Sequence, residues 1–191
     1  MAKQLKILVI SGWGETVNDG GPIWDIADQL AALPGCIVTR RAWDEVIPSD
    51  LVGIDAVICH SYGMAGFMRT LLGIAAKDRP PIGMLFCIVG VPRFWWGQFY
   101  CWCWQIPACI AQAVAFNLYD WPENFPASQE IRNPSANYIN VNCQGDRPVL
   151  AGGKLGETYG HVSIPRDPRV VNTILDWAKS QLSQQQLGVA A

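Results

Sequence analysis

Apolar and polar positions alternate in blocks along the chain. Residues 7–10, Ile-Leu-Val-Ile, form a continuous run stopped by Ser11-Gly12-Trp13-Gly14. A short β-branched run bounded by glycine predicts a strand buried on both faces. Residues 19–33 carry helical periodicity, with Ile23, Ile26, Ala27 and Leu30 on one face, and Pro34-Gly35 ends the pattern. Residues 36–39 predict a second strand, Pro48-Ser49-Asp50 a short helix or turn, and 56–59 a third strand. A helix over 63–76, a fourth strand over 83–89 and a fifth over 138–142 follow. A last helix over 168–184 presents Val170, Val171, Ile174, Leu175 and Trp177 as its apolar positions. Strands alternating with helices predict an α/β fold: a mostly parallel sheet of about five or six strands covered by helices on both faces. In such sheets ligands and reacting groups collect at the carboxyl ends of the strands.

The 191 residues suit a single domain, 1–191. Half are hydrophobic, 16% are charged and mean hydropathy is +0.14, which excludes global disorder. A net charge of -2 and a pI near 5.6 argue against a nucleic-acid binder held by phosphate contacts. Seven cysteines include no CxxC pair, and Cys101-Trp102-Cys103 has neither a partner pair nor a nearby histidine. No metal site is expected. Free thiols packed as small hydrophobes suit a reducing, cytoplasmic compartment. The amino-terminal residues run into the first strand without the apolar stretch of a signal peptide. Only two histidines, His60 and His161, could serve any chemistry that needs one.

The residues after the strands carry that chemistry. Cys59-His60-Ser61-Tyr62-Gly63 follows the third strand and opens a helix. It resembles the nucleophile elbow of the α/β-hydrolase superfamily, G-x-S-x-G, with Cys59 in place of the first glycine. A small side chain is needed there because strand and helix pack closely around the turn. The resemblance implies an α/β-hydrolase fold with Ser61 as nucleophile and the Tyr62 N–H as an oxyanion donor. Ser11-Gly12-Trp13-Gly14 resembles the H-G-x-G segment of these enzymes, with Ser11 where histidine is common, and implies the Trp13 N–H as second donor. The family places its acid just past a late strand, where Gly145-Asp146 stands, and its base before the last helix, where Gly160-His161 stands. Ser61, Asp146 and His161 thus follow the family's chain order of a Ser–His–Asp triad. His60, beside the nucleophile on the strand, cannot swing over Ser61, which leaves His161 as base. Glu157 and Asp167 are nearer to His161 in sequence but lie on the wrong loop. Asp120 would serve only if the acid had moved to an earlier strand. Gly145-Asp146-Arg147-Pro148-Val149 with the closely following His161 is similar, more weakly, to the compact cutinase-like branch, although that branch usually has disulfides and a secretory signal.

The span 93–126 is expected to be a cap or lid insertion. Residues 94–119 carry no formal charge and include Trp95, Trp96, Trp102 and Trp104. A membrane span is disfavoured by Gly97, Pro107 and three glutamines, and by Trp not clustering at two ends. A Trp-rich cap would form an apolar substrate pocket, or else pack on the sheet or a dimer interface. The expected function is a serine hydrolase, an esterase or lipase, acting on a small-molecule carboxylic ester or lipid-like substrate without a cofactor. The rivals are a thioesterase or acyltransferase with the same triad, a non-catalytic protein that binds an apolar ligand, and a lipase whose aromatic segment contacts a membrane surface.

Overall fold

The computed structural model describes residues 4–17, 20–89, 103–117, 130–131, 136–143 and 164–188. The strands are β1 (Leu5–Ile10), β2 (Cys36–Arg41), β3 (Ala56–His60), β4 (Ile82–Ile88), β5 (Cys103–Trp104), β6 (Ile110–Asn117), β7 (Glu130–Ile131) and β8 (Tyr138–Asn142). The helices are α1 (Pro22–Ala31), α2 (Gly63–Gly73) and α3 (Pro168–Gly188), and short 3-10 turns stand between β2 and β3, between α2 and β4, and just before α3. Among the described residues the main sheet has six strands in the order β2-β1-β3-β4-β6-β8, and every neighbouring pair is parallel. The two-residue strands β5 and β7 pair separately.

The strict alternation of side chains along each strand divides the core into two layers. Leu5, Ile7 and Val9 of β1, Ala56 and Ile58 of β3, and Phe86 and Ile88 of β4 pack with Ile23, Ile26 and Leu30 of α1 and Val170 and Ile174 of α3. Leu8 and Ile10, Val57 and Cys59, and Leu85 and Cys87 face the other way, onto Met64, Phe67 and Leu71 of α2. Central strands buried on both faces read as continuous apolar runs, and this is how β1, β3 and β4 were legible. Phe86 and Trp177 meet edge-on, with ring centroids 5.5 Å apart, and so fix α3 on its face of the sheet.

The structure departs from the sequence expectation within 93–126. Ile110–Asn117, assigned there to the cap, is a strand of the main sheet between β4 and β8. Its Ala113, Val114, Ala115 and Phe116 are buried. The physical reason is position: a slot between two parallel strands rewards extended backbone and small apolar side chains whatever their intrinsic preference. The strand expected as the fifth, β8, is therefore the sixth of the main sheet.

From β1 the chain crosses to β2 on one side, and the next strand, β3, lies on the other side of β1. The order reverses between β1 and β3, so their carboxyl ends flank the topological switch point, where open α/β sheets bind ligands. Successive backbone bonds keep the strand ends level. Ser11 N–H donates to Arg41 O (3.0 Å), Ser61 N–H to Ile88 O (3.0 Å), Val89 N–H to Phe116 O (2.8 Å) and Cys143 N–H to Asn117 O (2.8 Å).

Among the described residues no helix is long and apolar enough to cross a membrane.

Candidate active site at the switch point

Two segments meet at that point: the loop after β1 and the turn from β3 into α2. In the turn, Ser61 has φ 51°, a left-handed conformation that a non-glycine residue adopts at a cost of order 1–3 kcal/mol. Ser61 is 7% exposed, and its carbonyl accepts the Met64 N–H at 3.3 Å. Val89, the residue just after β4, is also left-handed at φ 42°. For a β-branched residue this is a stronger outlier, and it lies next along the same rim because the Ser61 N–H bonds Ile88.

Glycines set how closely the elements approach. A Cβ on Gly63 would stand 2.6 Å from Ile10 O and 2.8 Å from Ser11 O. One on Gly66 would stand 1.9 Å from Trp43 O. The first turn of α2 therefore rests directly on backbone. Cys59 is fully buried on the α2 side of the sheet, consistent with a small residue being needed before the turn. The first turn of α2 holds no acidic residue, and no side chain caps it. The positive end of the helix dipole is thus directed at Ser61 without a neutralising charge from its own helix.

The loop after β1 folds as a turn closed by Glu15 N–H to Gly12 O at 3.4 Å, with Gly14 at φ 81°. A positive φ at the third position is the type II pattern and explains a glycine there. Trp13, at the tip, is 75% exposed. Its ring lies 6.4 Å from that of Tyr62, which in turn lies 5.8 Å from that of Trp43. The Arg69 guanidinium stands 6.0 Å over the Trp43 ring. Three aromatics thus line up beside Ser61 at the end of the sheet.

Glu15, which no motif marks, also belongs to this junction. Its Oε2 accepts the Gly12 N–H at 2.8 Å and lies 3.0 Å from Nδ1 of His60, whose side chain is 2% exposed. Ser11 Oγ–H donates to Glu15 O at 2.8 Å. The one usable signal was a lone carboxylate inside a glycine turn after a buried strand.

Of the residues singled out in sequence, Ser61, Tyr62 and Trp13 come together at the switch point. Asp146, His161, Trp95, Trp96 and Trp102, with Glu157 and Asp120, lie outside the described residues, and Trp104 falls in strand β5. The described chain reaches both flanks of the two triad candidates. Cys143 stands on the rim of the sheet, three residues before Asp146, and Ile164, three residues after His161, is buried against the α1 and α3 layer. Asp167 has another task. It is 3% exposed and accepts the Arg169 N–H at 2.8 Å, capping α3, while its carboxylate takes the Arg169 Nε–H at 3.1 Å. The Arg169 guanidinium also donates to Cys143 O at 2.9 Å, tying the start of α3 to the end of β8. The hydrogen bond to Asp167 holds the Arg169 guanidinium above its ordinary pKa. Burial pushes the Cys143 thiol up to about 11 and the Cys59 thiol well above its ordinary value. Among the described residues no group of three or more His, Cys, Asp and Glu could hold a metal ion.

The fold and this site define an α/β protein: a parallel, doubly wound sheet with a strained serine at its switch point. No family model matches the chain, and no curated protein or solved structure matches it either.

Proposed function

We propose that the protein is a serine hydrolase of the α/β-hydrolase kind that cleaves carboxylic esters with an apolar acyl or alcohol part. The observation that carries this reading is Ser61 at φ 51°, between a buried strand and a helix N-terminus at the switch point. The strain there has no packing purpose that a glycine would not serve better, whereas a serine held in that conformation at a helix N-terminus suits nucleophilic attack.

In this reading Ser61 Oγ attacks the ester carbonyl while His161 takes its proton. Asp146 orients His161 and stabilises the imidazolium. The N–H groups of Tyr62 and Trp13 hold the oxyanion. Collapse expels the alcohol, which leaves with the proton from His161, and an acyl-Ser61 ester remains. Water, deprotonated by His161, attacks that ester. The carboxylic acid departs and Ser61 regains its proton. The exposed Trp13 ring beside Tyr62 supports an apolar substrate, and Trp95, Trp96, Trp102 and Trp104 would add to such a pocket.

A fluorophosphonate probe tests the reading. It is expected to label Ser61, to fail on Ser61→Ala and to slow sharply on His161→Ala. p-Nitrophenyl esters of graded acyl length are expected to show a preference that His161→Ala abolishes. Labelling that survives Ser61→Ala, or a wild type that never labels, overturns it. An unlabelled protein that still binds the esters would be a non-catalytic binder. A thioester turned over faster than its oxygen ester, or transfer to an added acyl acceptor, assigns the same acyl-Ser61 to a thioesterase or an acyltransferase.

A further inference from the structure

Glu15 has no part in the ester chemistry above, yet it occupies the junction between the β1 loop and the Ser61 turn. Its side chain is 13% exposed and that of His60 is 2% exposed. A buried carboxylate is costly unless hydrogen-bonded or paired, so its presence calls for a reason. Its partners supply one. Oε2 accepts the Gly12 N–H at 2.8 Å and faces His60 Nδ1 at 3.0 Å. The main-chain groups of Glu15 hold the same loop twice more, through Ser11 Oγ at 2.8 Å and Gly12 O at 3.4 Å. A Cβ placed on Gly12 would stand 2.9 Å from Ser61 Cβ, 3.2 Å from Glu15 Oε2 and 3.5 Å from His60 Nδ1. Carboxylate, imidazole and the stem of the serine all converge on one glycine.

We propose that Glu15 and His60 are positioning residues that fix the Gly12–Gly14 turn against Ser61 as an oxyanion-binding element. The inference rests on reading Ser61 as the nucleophile. A turn with two glycines has many accessible conformations, and an oxyanion donor works only when it is oriented beforehand. Glu15 engages the Gly12 N–H, and the next one along the turn, at Trp13, is the donor assigned to the oxyanion. The His60 anchor sits one residue before Ser61 on β3, so turn and nucleophile are held to a common support. The Nδ1 of His60 is committed to Glu15, and the imidazole serves as an anchor rather than as a base.

The test measures the rate constant and the final amplitude of fluorophosphonate labelling at Ser61, with kcat and KM for p-nitrophenyl butyrate. Glu15→Ala is expected to lower kcat and the labelling rate constant about 100-fold, the scale of one lost oxyanion donor, with KM unchanged. Glu15→Gln, whose amide oxygen can accept from both Gly12 and His60, is expected to recover most of that loss. A role in fold stability alone would lower the amplitude and the melting temperature but leave the rate constant of the labelled fraction intact, and that result overturns the proposal. Should Glu15→Ala fail to fold, Glu15→Asp is one methylene too short to bridge both partners, and wild-type constants in it are equally fatal. A wild type that is not labelled at Ser61 refutes the nucleophile itself, and this inference with it. Normal labelling of wild type and Glu15 variants alike refutes the positioning role only.

Discussion

Gly12 backs directly onto Ser61: a methyl group on the glycine would stand 2.9 Å from the Cβ of the serine. The two residues follow β1 and β3, so the loop backbone stands against the serine proposed as nucleophile. This closeness is what would let a loop N–H reach an oxygen bonded to a carbon under attack by Ser61.

Gly12→Ala must therefore push the turn away from Ser61. The expected outcome is a loss of kcat of about 100-fold or more, because the donor moves off the oxyanion. Stability is expected to fall by about 1–3 kcal/mol, as for overpacking elsewhere. Ester turnover and urea denaturation read the two separately. Wild-type kcat in this variant would mean that the turn is not part of the site.

Gly66 and Gly73 are both in α2 and should respond oppositely to alanine. Alanine gains about 1 kcal/mol over glycine in a helix interior. At Gly66 the new Cβ, fixed to the helix backbone, would meet the Trp43 carbonyl O at 1.9 Å, so neither side can rotate away. The clash outweighs the propensity, and Gly66→Ala is expected to destabilise by about 1–3 kcal/mol. At Gly73 nothing lies within 4 Å, and alanine is expected to be neutral or to stabilise by up to about 1 kcal/mol. Chemical denaturation of the two variants side by side checks the sign of each.

Asp167 and Asp146 are both followed by an arginine within two residues, but only one is expected to matter to chemistry. Asp167→Ala removes the α3 cap and is expected to cost about 1–2 kcal/mol. Asp167→Asn can keep the cap and loses an ion pair whose arginine side chain is 53% exposed, an effect of about 0–1 kcal/mol. Neither change is expected to stop fluorophosphonate labelling. Asp146→Asn is expected to lower kcat by about 10⁴-fold through loss of the correct His161 tautomer. If Asp167→Asn, and not Asp146→Asn, abolished turnover, the assignment of the acid would be reversed.

The buried Cys143 thiol gives stability an alkaline dependence. In the folded protein it titrates at about 11 rather than 9.0, because burial penalises the thiolate. Above about pH 9 the unfolded chain releases this proton and the folded chain does not. The unfolded state then binds fewer protons, so stability falls as pH rises from about 9 to 11. Cys59, shifted in the same direction, adds to the trend. Urea midpoints measured between pH 8 and 10.5 are expected to decline, and to decline less in Cys143→Ala. Iodoacetamide at pH 8 is expected to modify Cys143 only after unfolding, as read by peptide mass spectrometry. Rapid modification of the native protein would contradict the burial.

Much of the frame is legible in the residues alone. The apolar runs of β1, β3 and β4 announce strands covered on both sides, and the periodic positions of α1, α2 and α3 announce the covering helices. His60-Ser61-Tyr62-Gly63 marks a strand-to-helix turn with a serine at its apex, because those signals are local. The strand β6 was hidden because it lies in an uncharged stretch from 94 to 119 and reads as a continuation of the Trp-rich segment before it. Its Ala-Gln-Ala-Val-Ala core carries little strand preference of its own, and only the slot between β4 and β8 makes it extended. Glu15 was hidden for a different reason. A carboxylate in a loop reads as solvated until the fold brings it to a histidine 45 residues away. The sequence by itself determined which segments are strands and helices where period and punctuation are strong, and which serine to examine. Tertiary structure alone decided that the β1 loop and the β3 turn lie side by side with Glu15 between them, because strand order and the distances across it come from packing, not from neighbours along the chain.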